Sequence, residues 1–177
     1  RSFSLFATLP ILSESALAQL SYVGGAPPDG VMINANENPL GPCAEALEAM
    51  NGMLKRGGRY LFGESLKLAQ TLAQQEGVAA GSVQIYAGSS DPLHRAVLAF
   101  TSPSRSFVTA DPGYEAGLRA ARFIGAPAKE VPLTKDYRHD VKAMVAAAPN
   151  AGLFYVCNPN NPTGTITPRA DIEWLLS

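Results

Sequence analysis

The chain has 177 residues, of which 46% are hydrophobic and 16% are charged, and its formal net charge is −1. This composition is typical of a globular domain with its own core and excludes a disordered chain. Because the charge is near zero and Lys and Arg form no cluster, we expect no nucleic-acid partner. The two cysteines, Cys43 and Cys157, follow no metal-ligand spacing, so we predict free thiols and no metal site.

The first 30 residues differ in character from the rest of the chain. Residues 1–19 carry an apolar stretch that ends in Ala16-Leu17-Ala18 before a polar residue, a pattern typical of an export signal. An amphipathic helix that packs on the domain is the alternative. We therefore interpret residues 1–30 as an export-signal-like segment and linker. The protein would be periplasmic if it is exported and cytoplasmic otherwise. Since no apolar run is long enough for a permanent span, we expect no membrane anchor.

From residue 31 onward, helical patterns alternate with short apolar runs. Helices are predicted over residues 44–55, 92–100, 115–124 and 140–148, with a final helix capped by Thr167. Strands are predicted over residues 83–86, 106–109, 130–133 and 153–157. This order favours an α/β fold, a three-layer sandwich in which helices cover both faces of a mostly parallel sheet.

Residues able to bind a ligand follow three of the predicted strands. Ser89 and Ser90 stand at a helix start, where free N–H groups and the helix dipole favour phosphate. Tyr114 follows the next strand and could stack on a planar ring, and Asn161 follows the last and could bond a ring substituent. Because ligands bind at the carboxyl edge of such sheets, the set suits a phosphorylated aromatic cofactor. Each segment alone is equally typical of an ordinary cap, packed tyrosine or turn.

Four segments in order give a more specific indication: Asn34–Pro42, Arg59-Tyr60, Gly88–Asp91 and Asn160–Gly164. Together they resemble the N-terminal half of a class I/II aminotransferase, a fold-type I enzyme that uses pyridoxal 5′-phosphate. The chain is most similar to the histidinol-phosphate aminotransferase branch. The resemblance implies an N-terminal arm and first-helix start over residues 31–50, and a partial cofactor-binding large domain over residues 51–177.

The resemblance also implies roles for individual residues. Ser89 and Ser90 would bind the cofactor phosphate, Tyr114 would stack on the pyridine ring, and Asn161 would hydrogen-bond the phenolic oxygen. Tyr60 would reach the phosphate held by the other subunit of a homodimer. The small-molecule partners would be an amino donor, either an amino acid or an amino phosphate ester, and a 2-oxo acid acceptor.

The catalytic lysine of the family, which forms a Schiff base with the cofactor, lies after the asparagine segment. The lysines of this chain all precede that segment and are expected to be solvent-exposed: Lys55, Lys67, Lys129, Lys135 and Lys142. We therefore expect an N-terminal fragment without a catalytic residue of its own, whose parent protein would transfer amino groups. His94 and His139 are expected on a helix surface and in a loop, respectively, without a catalytic part.

Two other functions remain open at this point. A decarboxylase of the same cofactor-dependent branch would carry the same segments, and a non-catalytic binding domain could retain the same scaffold. A nucleotide-binding Rossmann unit is excluded, because no G-x-G-x-x-G run follows a predicted strand.

Overall fold

A computed structural model of the chain describes residues 30–31 and 36–177. The predicted export signal, residues 1–19, and residues 32–35 of the predicted arm lie outside the described residues. The chain divides into two compact units, one with the described part of Val23–Ile85 and one with Tyr86–Ser177. The domain boundaries expected at residues 30 and 50 stay a prediction.

The Val23–Ile85 unit contains helices but no strand among its described residues. Helix α1 spans Ala44–Met53 and tightens into a 3-10 turn, and α2 spans Phe62–Glu76 before a second 3-10 turn. Glycine ends α2, since Gly77 adopts the left-handed conformation with φ 66°. The strand predicted over residues 83–86 is wrong, because these residues carry no strand assignment. A strand forms only where a neighbour pairs with its backbone, and no described strand does so here.

The Tyr86–Ser177 unit is an α/β arrangement around a three-stranded parallel sheet of order β2-β1-β3. Its elements are α3 (Ser90–Phe100), β1 (Phe107–Asp111), α4 (Ala116–Phe123), β2 (Ala128–Pro132), α5 (Val141–Ala147), β3 (Leu153–Phe154) and α6 (Arg169–Leu176). The prediction of alternating helices and parallel strands is confirmed. Strand β3 is shorter than expected, and Pro168 rather than Thr167 occupies the N-cap position of α6.

Two apolar clusters hold helices against opposite faces of the sheet. Successive residues of a strand point to opposite faces, so Phe107 and Val108 of β1 belong to different clusters. Phe107 packs with Val97 of α3 and Leu118 of α4. Val108 packs with Met144 of α5. The three-layer fold is therefore confirmed in this unit.

No helix among the described residues is both long and apolar enough to cross a membrane. The described residues also contain no group of His, Cys, Asp or Glu side chains that could hold a metal ion.

Candidate functional site

The strand order predicts a crevice at the carboxyl edge of the sheet. The chain crosses from β1 to β2 through α4 on one face, and from β2 to β3 through α5 on the other. The loops that follow β1 and β3 therefore diverge, and the space between them is where open α/β sheets bind ligands. Tyr114 lies in the first of these loops and Asn161 in the second.

Helix α3 ends beside the start of β3. A Cβ added to Gly152 would clash with the backbone carbonyl oxygen of Phe100, the last residue of α3. The helix has 11 residues and is therefore roughly 16 Å long, at about 1.5 Å per residue. Ser89 and Ser90 lie at its other end, remote from the starting edge of β3.

The hydroxyl of Ser89 is not used to cap α3. Ser89 is exposed at the N-cap position, and its side chain makes no capping hydrogen bond. Gly88 before it has φ 102°, a conformation that favours glycine, and open space surrounds the position of its missing Cβ. The carboxylate of Asp91 is held by Arg95 at 2.7 Å, which offsets its negative charge. This helix start is chemically suited to an anion.

Tyr114 belongs to a cluster of ionisable side chains with Tyr155 and Cys157. Burial raises the pKa of the Tyr155 phenol above its ordinary value, and the nearby Cys157 thiol and Tyr114 phenol raise it further. Tyr155 also stacks on Phe107, with ring centroids 6.1 Å apart. Tyr114 itself is partly buried.

We call residues 158–167 the asparagine turn. Its Asn160 is only 2% exposed, and the side-chain amide donates to the Thr163 hydroxyl at 2.8 Å. The Asn160 backbone N–H donates to the Thr165 carbonyl at 2.8 Å, and its carbonyl accepts from the Gly164 N–H at 2.7 Å. Asn160 therefore shapes the turn from inside.

Asn161 has the opposite environment. Its side chain is exposed, and no hydrogen bond to it is found within the described ranges. Of the two adjacent asparagines, Asn160 is buried and bonded through its amide N–H groups, with no hydrogen-bond partner for its Oδ1 among the described residues, whereas Asn161 is exposed. The sequence pattern indicates Asn161 for the ligand but does not indicate the structural part of Asn160, for which the doubled asparagine is the available signal.

One hydrogen bond ties the two loops of the crevice together. The Asn160 side-chain amide donates to the carbonyl oxygen of Pro112 at 3.2 Å. Tyr114 lies two residues beyond Pro112, and Asn161 is next to Asn160. The fold thus brings the loops that carry Tyr114 and Asn161 next to each other.

Tyr60 lies in the other compact unit. It is 90% exposed and stacks on Phe62 with ring centroids 5.4 Å apart. Leu61 between them adopts a left-handed conformation with φ 53°. The ring of Tyr60 is therefore accessible to another molecule.

The histidines differ from the sequence expectation. His94 is 3% exposed, so its placement on a helix surface is wrong: α3 turns this residue toward the sheet, one turn before Val97. His139 does lie in a loop, but it too is 3% exposed. The exposure of the lysines is confirmed for Lys55, Lys67, Lys129, Lys135 and Lys142.

Comparison with known proteins establishes the family. The sequence profile of aminotransferase class I and II matches residues 28–177. The chain belongs to this family. It is 35% identical to the histidinol-phosphate aminotransferase of Moorella thermoacetica, over 96% of this chain and 47% of the relative. It is 39% identical to histidinol-phosphate aminotransferase 2 of Ralstonia nicotianae, over 83% of this chain and 39% of the relative.

A solved structure supports the same class. The fold matches histidinol-phosphate aminotransferase from Sinorhizobium meliloti in complex with pyridoxal-5′-phosphate, with a TM-score of 0.74 and 26% identity. That match covers 99% of this chain and 47% of the solved chain. The chain therefore spans about half the length, or less, of the proteins it matches.

Proposed function

We propose that this chain supplies the cofactor-holding edge of a pyridoxal 5′-phosphate-dependent aminotransferase. The whole enzyme would transfer an amino group between an amino acid or amino phosphate ester and a 2-oxo acid. The single observation that carries the proposal is the hydrogen bond from Asn160 to Pro112, which joins the loops of Tyr114 and Asn161 at the carboxyl edge of the sheet.

The residues at this edge fit the cofactor in chemistry. Ser89 and Ser90 lie at a helix start that has no side-chain capping hydrogen bond, and they would hold the cofactor phosphate. The half-exposed ring of Tyr114 would cover the pyridine, and the free amide of Asn161 would bond the phenolic oxygen. When bound, the cofactor supplies the electron sink that makes amino-group transfer possible.

Tyr60 would act outside its own subunit. Its exposed phenol, away from any packing except the Phe62 ring, is suited to reach the phosphate bound by a second copy of the chain. A homodimer is part of the proposal on this account. The small-molecule partners proposed are the amino donor and the 2-oxo acid acceptor.

The aminotransferase is favoured over the decarboxylase that the sequence left open. The curated relatives described above are named aminotransferases, and the family profile has the same description. A non-catalytic binding domain is not supported by any feature of the site.

The proposal is tested with a cofactor analogue that cannot react with the exposed lysines. Pyridoxine 5′-phosphate carries an alcohol in place of the aldehyde, so its binding reports only the non-covalent site. Binding to the chain would be measured by calorimetry and by the phosphorus NMR signal of the ligand. We expect saturable binding with one ligand per chain, and weaker binding of pyridoxine, which lacks the phosphate.

Variants then locate the site. Asn161→Ala and the double change Ser89→Ala with Ser90→Ala should each weaken binding. Asn150→Ala is the matched control, because the Asn150 amide bonds the Ser104 carbonyl at the opposite edge of the sheet. If the chain binds the analogue no better than pyridoxine, or if Asn150→Ala weakens binding as much as Asn161→Ala, the proposal is wrong.

A further inference from the structure

Two hydrogen bonds between Asn158 and Thr167 close the asparagine turn. The backbone N–H of Thr167 donates to Asn158 Oδ1 at 2.9 Å, and Asn158 Nδ2 donates to the Thr167 carbonyl at 3.2 Å. We call this pair the neck of the turn. Asn161 is exposed and makes no bond of its own among the described residues, so its position depends on the bonds that hold the turn, those of Asn160 inside it and those of the neck at its base.

His139 contacts the neck from the loop before α5. Its backbone N–H donates to Thr167 Oγ1 at 3.3 Å, and its ring Nδ1 lies 3.0 Å from the same hydroxyl. Both residues are buried, His139 at 3% exposure and Thr167 at 1%. In the same loop, the Tyr137 carbonyl accepts a hydrogen bond from the Thr165 hydroxyl. The turn is therefore anchored to this loop at two points.

The hydroxyl of Thr167 decides which form of His139 fits. It already accepts the His139 backbone N–H, and its own hydrogen has the ring Nδ1 as acceptor. A neutral imidazole with the proton on Nε2 gives the hydroxyl hydrogen an acceptor at Nδ1, while Oγ1 still accepts the His139 backbone N–H. With a proton on Nδ1, the Thr167 hydroxyl hydrogen would have to point elsewhere, and no other acceptor for it is found within the described ranges. A buried hydroxyl hydrogen without an acceptor lowers the stability of the fold.

We propose that His139 is a positioning residue of the cofactor site: its neutral imidazole accepts the hydrogen bond of Thr167, fixes the neck, and thereby holds Asn161 at the crevice. The inference rests on the proposed function for the role of Asn161. His139 is not among the residues proposed to contact the cofactor, and its influence would pass through Thr167, which bonds Asn158.

The charges around His139 come from its own segment and from α6. The small cavity of about 120 Å³ beside it is lined by Arg138, Asp140, Lys142 and Asp171, with both signs represented. Burial lowers the pKa of His139 below its ordinary value of 6.5. The neutral form is therefore retained at neutral pH, and acidification places a proton on the ring that the neck cannot accommodate.

Three variants separate the hydrogen bond from packing. His139→Leu removes the acceptor, and Thr167→Val removes the hydroxyl with little change of shape. His139→Asn keeps an acceptor where Nδ1 stood but does not titrate. Met144→Ala is the control, because it weakens the core of the same layer without touching the neck.

Two readouts apply to the whole chain. One is amide hydrogen exchange at Gly164 and Thr167, whose N–H groups bond inside the turn and need no ligand. The other is affinity for pyridoxine 5′-phosphate. His139→Leu should speed exchange and weaken binding about threefold to tenfold, the factor of one net hydrogen bond. Thr167→Val should have at least this effect, because it also removes the acceptor of the His139 backbone N–H. Adding His139→Leu to Thr167→Val should change nothing further, since Thr167→Val already removes the bond to the ring.

The conservative variant gives the decisive comparison. His139→Asn should restore slow exchange and affinity, and should remove the loss of affinity that we expect in the natural chain when acidification passes the lowered pKa of His139. Met144→Ala should leave exchange in the turn and analogue affinity unchanged. The inference is overturned if His139→Asn behaves like His139→Leu, or if the effects of His139→Leu and Thr167→Val add.

The exchange measurement keeps this inference separate from the proposed function. If the natural chain does not bind the analogue, the proposed function fails, while slow exchange that depends on His139 would still support the positioning of the turn. If the chain binds the analogue but His139→Leu changes neither exchange nor affinity, the positioning role alone fails.

Discussion

The side-chain amide of Asn160 donates a hydrogen bond to the carbonyl oxygen of Pro112, 48 positions earlier in the chain, at 3.2 Å. This contact joins the loop after β3 to the loop after the neighbouring strand β1. It explains how the loops that carry Tyr114 and Asn161 lie next to each other although they come from distant segments. The buried Asn160 amide is thus a structural link, whereas Asn161 beside it is exposed.

Replacing Asn160 and Asn161 by alanine should have different consequences. Asn160→Ala leaves the Pro112 carbonyl and the Thr163 hydroxyl without their donor, which should lower the free energy of unfolding by about 1–3 kcal/mol. Asn161→Ala removes no bond that the structure describes, so its stability should stay within about 0.5 kcal/mol of the natural chain. Urea unfolding of both variants measures this difference, and equal destabilisation would contradict it.

Gly152→Ala should be strongly destabilising. The new Cβ would lie 2.1 Å from the backbone carbonyl oxygen of Phe100, which cannot rotate away as a flexible side chain could. Separating α3 from β3 to make room should cost about 1–3 kcal/mol, as overpacking usually does. Gly81→Ala is the control, because nothing lies within 4 Å of its missing Cβ. The unfolding temperature should therefore fall in Gly152→Ala and stay nearly unchanged in Gly81→Ala. An unchanged unfolding temperature in Gly152→Ala would show that the contact is not close.

The buried state of His139 should make stability depend on pH. Its pKa is lowered by burial, so the unfolded chain binds a proton more readily than the folded one. The contribution of His139 to the free energy of unfolding is therefore fully present above about pH 6.5, and it falls as the pH drops below that value. Urea unfolding across this range should show a shallower pH dependence in His139→Asn than in the natural chain. An unchanged dependence would mean that another group causes it.

The phenol of Tyr155 should ionise at higher pH than an ordinary tyrosine. Burial, the Cys157 thiol and the Tyr114 phenol all raise its pKa, so the folded state retains the proton. This residue stabilises the fold up to about pH 10 and loses that contribution as the pH rises further. A pH titration followed by tyrosinate absorbance should contain a step at high pH that disappears in Tyr155→Phe. Tyr137→Phe, which alters a 60% exposed ring, should retain it.

Local sequence patterns predicted most of the second unit because its signals are local. The helix of residues 92–100 and the strand of residues 106–109 depend on short apolar periods and on Pro, Gly and Ser punctuation. The failed strand at residues 83–86 has the same kind of apolar pattern. It forms no strand in the structure, because strand formation depends on regular pairing with a neighbour, a property that a single segment does not contain.

The sequence by itself determined the alternation of parallel strands and helices, the family, and the order of the segments that carry Ser89, Tyr114 and Asn161. Only the tertiary structure decided that Asn160 is buried and Asn161 exposed, and that His139 is enclosed against Thr167. The physical reason is that burial and hydrogen bonding depend on groups far away in the chain. Two adjacent asparagines are equivalent in sequence until the Pro112 carbonyl meets one of them.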